Sequence, residues 1–209
     1  AESILAGILA CLRKINELVV LQKSHKWDSE NIRSKLRVLK NSRVLLVGYG
    51  SINKRLHELL MPFDCKIIIL RKDTPLEIMD DALATTDIVI STAPDTEQTK
   101  QLFCKKRINQ LPSHAIFANF GRGSVLDEKS LIEALQNSNL GGAVIDVTEA
   151  EPLSHRHPLW DCPNTILTQH SAGGTGDEIE KKLSFFIDNL GRFNANEPLK
   201  SCVDFERGY

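Results

Sequence analysis

The sequence predicts an α/β fold: a doubly wound parallel sheet of the Rossmann type, with an apolar helix before it and a tail after it. Three observations predict this. From Arg43 onward, short runs that are apolar throughout alternate with helical stretches, as expected of parallel strands covered on both faces. The first run leads straight into Gly48-Tyr49-Gly50-Ser51-Ile52-Asn53, a glycine-rich turn that opens a helix. Polar residues then gather just past the ends of the runs, where a sheet of this kind binds its ligand.

Taken in order, Ile4, Ile8, Cys11, Leu12, Ile15 and Val19 recur at helical spacing. Leu5, Leu9 and Leu18 widen that stripe, so the helix needs burial on more than one side. Residues 22–41 are polar and basic and read as a connection. Strands are predicted at 43–48, 66–70, 87–92, 115–119, 142–147 and 164–168. Helices are predicted near 52–60, 76–83, 104–110 and 129–137.

Composition narrows the function classes. The 209 residues are 42% hydrophobic and 25% charged, with a formal net charge of -1. Nothing in that balance points to nucleic acid or to a membrane surface. The first apolar run is stopped by Arg13 and Lys14, too short for a membrane span, and it has no basic leader. The five cysteines are dispersed, with no CxxC and no metal-ligand spacing. They read as free core thiols in a reducing, cytoplasmic compartment.

The glycine turn follows a strand and precedes a helix, the context that a dinucleotide site requires. Gly48 permits the tight turn, and Gly50 lets backbone amides approach a pyrophosphate at the helix N-terminus. The third glycine of the pattern is replaced by Asn53, which either forces the helix outward or finds a local hydrogen bond. An NAD site usually carries an acid at the end of the second strand, on the ribose 2′-hydroxyl. Here that strand ends in Arg71-Lys72, with Asp73 two residues late. A guanidinium accepts no hydrogen bond but suits a 2′-phosphate, so NADP is expected first and NAD second.

Three later segments carry chemistry. Arg122 follows one strand in "NFGRGS", Asp146 and Glu151 follow the next in "DVTEAEP", and His170 follows another in "TQHSAGG". A histidine paired with a carboxylate acts as a general acid/base, because the acid fixes its tautomer and favours its charged form. An arginine grips a substrate carboxylate through two parallel hydrogen bonds.

The segments "VGYGSI", "TAPDTEQT", "NFGRGSVLDEKSLIEAL", "GGAVIDVTEAEPL", "HPLWDCPNTILTQHSAGGT" and "NEPLKSCVDFERGY" resemble, in order and spacing, the cofactor domain of the D-isomer-specific 2-hydroxyacid dehydrogenases. That family includes glyoxylate/hydroxypyruvate reductases, D-3-phosphoglycerate dehydrogenases and the C-terminal-binding-protein corepressors. The resemblance implies that Arg122 holds the substrate carboxylate, that His170 is the general acid/base and that Glu151 pairs with it. It places Asp146 at the nicotinamide carboxamide, and Ala93, Pro94 and Phe120 along the cofactor. With Gly48, Tyr49, Gly50, Ser51, Ile52, Arg71, Lys72, Arg122, His170 and Ala172, these make up the expected cofactor site; no metal is expected. The implied reaction moves a hydride between nicotinamide C4 and C2 of a 2-oxo or 2-hydroxy acid.

Gln169 stands where the family usually has proline before the histidine. The resemblance also implies a substrate domain of roughly a hundred residues ahead of the first helix. The present chain starts at that helix, as a fragment or a truncation, and is expected to bind cofactor better than it turns over substrate. The implied division is 1–25 as a helix for dimer or interdomain contact, 26–185 as the dinucleotide-binding domain, and 186–209 as a tail packing on the substrate domain. A homodimer is expected. The alternative is a non-catalytic, NAD(H)-sensing interaction module like the corepressors. An unrelated phosphate-binding turn is the remaining possibility, and it predicts that no nicotinamide nucleotide binds.

Overall fold

The structure is a computed structural model and describes residues 1–205. It divides into two compact units, Ala1–Ala172 and a second that starts at Gly173.

The first unit opens with α1 (Glu2–Leu12) and α2 (Ile15–Lys23). The expected single helix over 1–25 is therefore two, because Lys14 at φ 54° caps α2 in a left-handed conformation. α3 (Ser29–Lys35) lies inside the segment read as a connection. It buries only Ile32, too little to leave a periodic signal.

Six strands follow: β1 (Arg43–Val47), β2 (Lys66–Leu70), β3 (Ile88–Ser91), β4 (Ile116–Asn119), β5 (Gly142–Ile145) and β6 (Thr165–Leu167). Between them come α4 (Ser51–Leu60), α5 (Leu76–Leu83), α6 (Lys105–Ile108) and α7 (Glu128–Gln136). The strands form one parallel sheet in the order β2-β1-β3-β4-β5-β6. The chain steps from β1 outward to β2, then crosses back to β3 on the other side of β1. That reversal opens a crevice beyond the carboxyl ends of β1 and β3, the usual ligand position in such sheets.

Alternate strand residues feed two cores, because side chains leave a strand on opposite faces. Leu45, Val89, Phe117 and Ala143 pack with Met79 and Leu83 of α5 and Leu131 and Leu135 of α7. Leu46, Ile90, Ile116 and Val144 pack with Leu56 and Leu60 of α4 and with Ile4 and Ile8 of α1. The apolar first helix is thus a covering layer of its own sheet. It lies so close that a Cβ on Gly7 would come within 2.5 Å of Val144 Cγ1. The apolar residues of α2, Ile15, Leu18, Val19 and Val20, stay exposed.

The second unit contains α8 (Glu178–Asn194), none of whose residues is buried. The expected boundary after residue 185 falls inside this helix, whose backbone hydrogen bonds run through it; the compact division lies instead after Ala172. Part of the expected tail, residues 206–209, lies outside the described residues. Among the described residues no helix is long and apolar enough to cross a membrane.

Candidate functional site

At the end of β1 the chain turns through Gly48 at φ 80°, a conformation that favours glycine. A Cβ there would also press within 3.3 Å of the Thr92 carbonyl and the Ala93 nitrogen at the end of β3. Gly50 differs: a Cβ on it would meet nothing within 4 Å. It is the N-cap of α4, it offers no side-chain cap, and no acid sits in the first turn beside Ser51 and Ile52. Among the described residues the first turn of α4 thus has no side-chain cap, and the space beside Gly50 is open, which is what an incoming phosphate needs.

Asn53 resolves the question raised by the missing third glycine. Its side chain is fully buried, and Nδ2 donates to the Gly48 carbonyl at 2.6 Å and to Val47 at 3.4 Å. The local hydrogen bond forms, and the side chain ties α4 to the turn.

Tyr49 stands beside this turn. Its hydroxyl lies 2.7 Å from His57 Nδ1. The Arg71 guanidinium, just past β2, stacks 4.6 Å from the Tyr49 ring centroid, a cation–π contact. Neither Arg71 nor Lys72 pairs with a carboxylate among the described residues. An oriented cation without a counter-ion thus sits beside the glycine turn.

The turns after β3, β4 and β5 interlock through missing side chains. A Cβ on Gly121 would overlap the Ala93 carbonyl, and one on Gly123 would overlap the Thr148 carbonyl. Asn119, fully buried, braces the turn after β4: its Nδ2 donates to the Arg122 carbonyl at 3.0 Å and its Oδ1 accepts from Gly121 N at 3.3 Å. Ala93 and Phe120 are buried in these turns, whereas Arg122 projects as an exposed side chain.

Asp146, after β5, organises the last turn. Its Oδ1 accepts from Thr168 Oγ1 at 2.6 Å, Ser171 N at 3.1 Å and Ala172 N at 3.2 Å. Its own carbonyl accepts from His170 N at 2.6 Å. Gln169 and His170 lie in this turn at φ 52° and 54°. The ring of His170 is half exposed, with Nδ1 2.6 Å from Glu151 Oε2. The carboxylate can only accept here, so the proton is on Nδ1. Glu151 Oε1 accepts from Thr148 N at 3.0 Å. The Glu151 carboxyl is held below its usual range, chiefly by the bond from His170; burial opposes this next, and the Thr148 amide and the charges of His170 and Arg122 add further lowering.

The structure thus brings Arg122, Glu151 and His170 to one end of the sheet, with His170 Nε2 bonded to none of the described residues. Such an arrangement can hold an anion on an arginine and move a proton at Nε2. Among the described residues no group of His, Cys, Asp and Glu could hold a metal ion.

Comparison with known proteins gives this geometry a family. Residues 5–172 match the family model described as D-isomer specific 2-hydroxyacid dehydrogenase, NAD binding domain. The chain belongs to that family. The matched stretch ends at Ala172, where the first compact unit also ends. The chain is 29% identical to a D-specific alpha-keto acid dehydrogenase of Enterococcus faecium, covering 96% of this chain and 63% of that protein. It is 30% identical to glyoxylate/hydroxypyruvate reductase B of Escherichia fergusonii, over 98% of this chain and 67% of that one. A solved NADPH-dependent glyoxylate/hydroxypyruvate reductase from Sinorhizobium meliloti, in complex with NADP and sulfate, superposes with a TM-score of 0.85 at 26% identity, covering 100% of this chain and 68% of that one. The chain therefore spans about two thirds of the length of these relatives.

Within this dehydrogenase domain some supporting residues are illegible in the sequence. Asn119 braces the backbone of Gly121 and Arg122, and Asp146, singled out in the sequence for the nicotinamide carboxamide, also holds the amides of Ser171 and Ala172, a role that no motif marks. Glu128 and His157 form a pair 3.2 Å apart that no spacing predicts. The five cysteines were expected to be core residues. All are free, but only Cys11 and Cys162 are buried, and Cys202 is exposed.

Proposed function

We propose that this domain binds NADP in preference to NAD and serves a reductase of small 2-oxo acids. The observation that carries the reading is the 2.6 Å contact between His170 Nδ1 and Glu151, with the Arg122 charge acting on the same carboxylate. Two features support the fit of a dinucleotide: the open space over Gly50, and the uncapped first turn of α4. Arg71, stacked on Tyr49 and free of any carboxylate partner among the described residues, supports recognition of a 2′-phosphate, with Lys72 beside it. The relative from Sinorhizobium meliloti, crystallised with NADP, supports the same preference.

When bound, the reduced nicotinamide supplies the hydride for C2 of the substrate. The residues of this chain do the rest. Gly48, Tyr49, Gly50, Ser51 and Ile52 cradle the pyrophosphate, and Ala93, Pro94, Phe120 and Ala172 line the path toward the nicotinamide. Arg122 orients the substrate carboxylate with its planar fork and polarises the carbonyl. Glu151 holds Nδ1–H of His170, which leaves Nε2 to give its proton to the carbonyl oxygen. Asp146 holds the histidine turn while its Oδ2, bonded to none of the described residues, stays available to the nicotinamide carboxamide. The exposed apolar residues of α2 suit a homodimer, and free thiols suit a reducing cytoplasm.

Steady-state oxidation of NADPH by the full-length protein, with glyoxylate or hydroxypyruvate, tests this reading. Arg122→Ala is expected to lower kcat/KM by about 10²-fold, the cost of misplacing a clamped substrate. No reduction of either acid, with Arg122→Ala indistinguishable from the parent, would overturn it.

A further inference from the structure

Beneath the loop that carries Glu151 lies a second carboxylate–imidazole pair. Glu128 sits at the start of α7, is only 7% exposed, and receives two donors. Its Oε1 lies 3.2 Å from His157 Nε2, and its Oε2 accepts from Glu149 N at 3.2 Å. Nδ1 of His157 accepts from Leu159 N at 3.4 Å, so the neutral imidazole carries its proton on Nε2 and donates it to Glu128. Capping of α7 is left to Asp127, whose carboxylate takes both Ser130 N and Ser130 Oγ, so Glu128 is free to reach across.

The segment it reaches is short and closely packed. Thr148 presses its carbonyl against Gly123, one residue past Arg122. Thr148 Oγ1 donates to the Ala150 carbonyl at 2.9 Å, and Thr148 N donates to Glu151. Glu149 lies between them, so its amide is the point where a buried anion grips this loop.

We propose that Glu128 and His157 are positioning residues for the Glu151–His170 pair: through the Glu149 amide they fix residues 148–151 at the distance at which Glu151 meets the imidazole. This rests on the role given to Glu151 above. A carboxylate is required because donors arrive at both oxygens. Glu128→Gln keeps the shape but points an NH2 group at one of those donors.

The test is a carbon-13 NMR titration of the Glu151 carboxyl in the 209-residue chain, where His170 and Arg122 are the charged groups that face it. Glu128→Gln and His157→Asn are expected to raise the Glu151 midpoint by ~0.5–1 pH unit, as the bonds that favour its anion loosen. Ala134→Gly, which weakens α7 without touching the loop, is expected to lower Tm and leave the midpoint in place. An unmoved midpoint in Glu128→Gln, or an equal shift in Ala134→Gly, overturns the positioning role. If instead His170→Ala leaves the midpoint unchanged, the Glu151–His170 pair itself fails, and the inference falls with it.

Discussion

At the end of β1 the chain turns left-handed through Gly48, where no side chain opposes the turn; at the end of β6 it turns left-handed through Gln169 and His170, which both carry one. The first turn needs only the absence of atoms: Gly48 clears the β3 backbone, Gly50 leaves space above α4, and Asn53 adds one tie. The second must be held. Each L-residue in that conformation costs roughly 1–2 kcal/mol. What opposes the cost is Asp146, with three donors on one carboxylate oxygen and the His170 amide on its carbonyl. Hydrogen bonds to a charged group contribute about 1.5–3 kcal/mol, enough to fix the turn. A site for a phosphate can be made from space, whereas a site that moves a proton must fix one imidazole against the preference of its own backbone.

Substitutions that break this contrast differ in size. The largest effect is expected from His170→Ala, which removes the proposed proton donor and leaves the glycine turn intact. Turnover should fall by roughly 10²–10⁴-fold while NADPH binding, followed by fluorescence titration, stays close to the parent. Loss of cofactor binding would make His170 structural and merge the two ends of the site.

Asp146→Ala comes next. Chemical denaturation should show a loss of about 1.5–3 kcal/mol, and turnover should drop toward the level of His170→Ala. Full activity in this variant would mean that the turn holds itself.

Position 169 sharpens the comparison at smaller scale. Gln169→Gly should raise unfolding stability by up to about 1 kcal/mol, since glycine accepts the left-handed conformation freely. Gln169→Pro should lower Tm, because proline locks φ near -65° while this position lies at φ 52°. A stabilising proline would show that the turn adopts another conformation in solution.

The same contrast explains what was legible in the sequence. The six strands lie within one or two residues of their expected positions, because buried parallel strands are unbroken apolar runs. The glycine turn is legible because its requirement is for a residue type at a fixed spacing. The break between α1 and α2 is not, since Lys14 carries no signal of its left-handed backbone. Asn53 left two outcomes open, and only the fold shows that its amide reaches the Gly48 carbonyl. The supports of the histidine turn and of the Glu151 loop are legible only in part: Asp146 stands out in the sequence as a site residue, but its hold on the amides of Ser171 and Ala172, like that of Glu128 on the Glu149 amide, depends on strand order that brings distant segments together.

One titration tests the central claim most directly: the 209-residue chain with NADPH and with NADH, repeated with Arg71→Asp. The account expects tighter NADPH in the parent. In the variant it expects a loss of about 1.5–3 kcal/mol, roughly tenfold or more, confined to NADPH. Tighter NADH, equal losses for both cofactors, or no binding of either would contradict it.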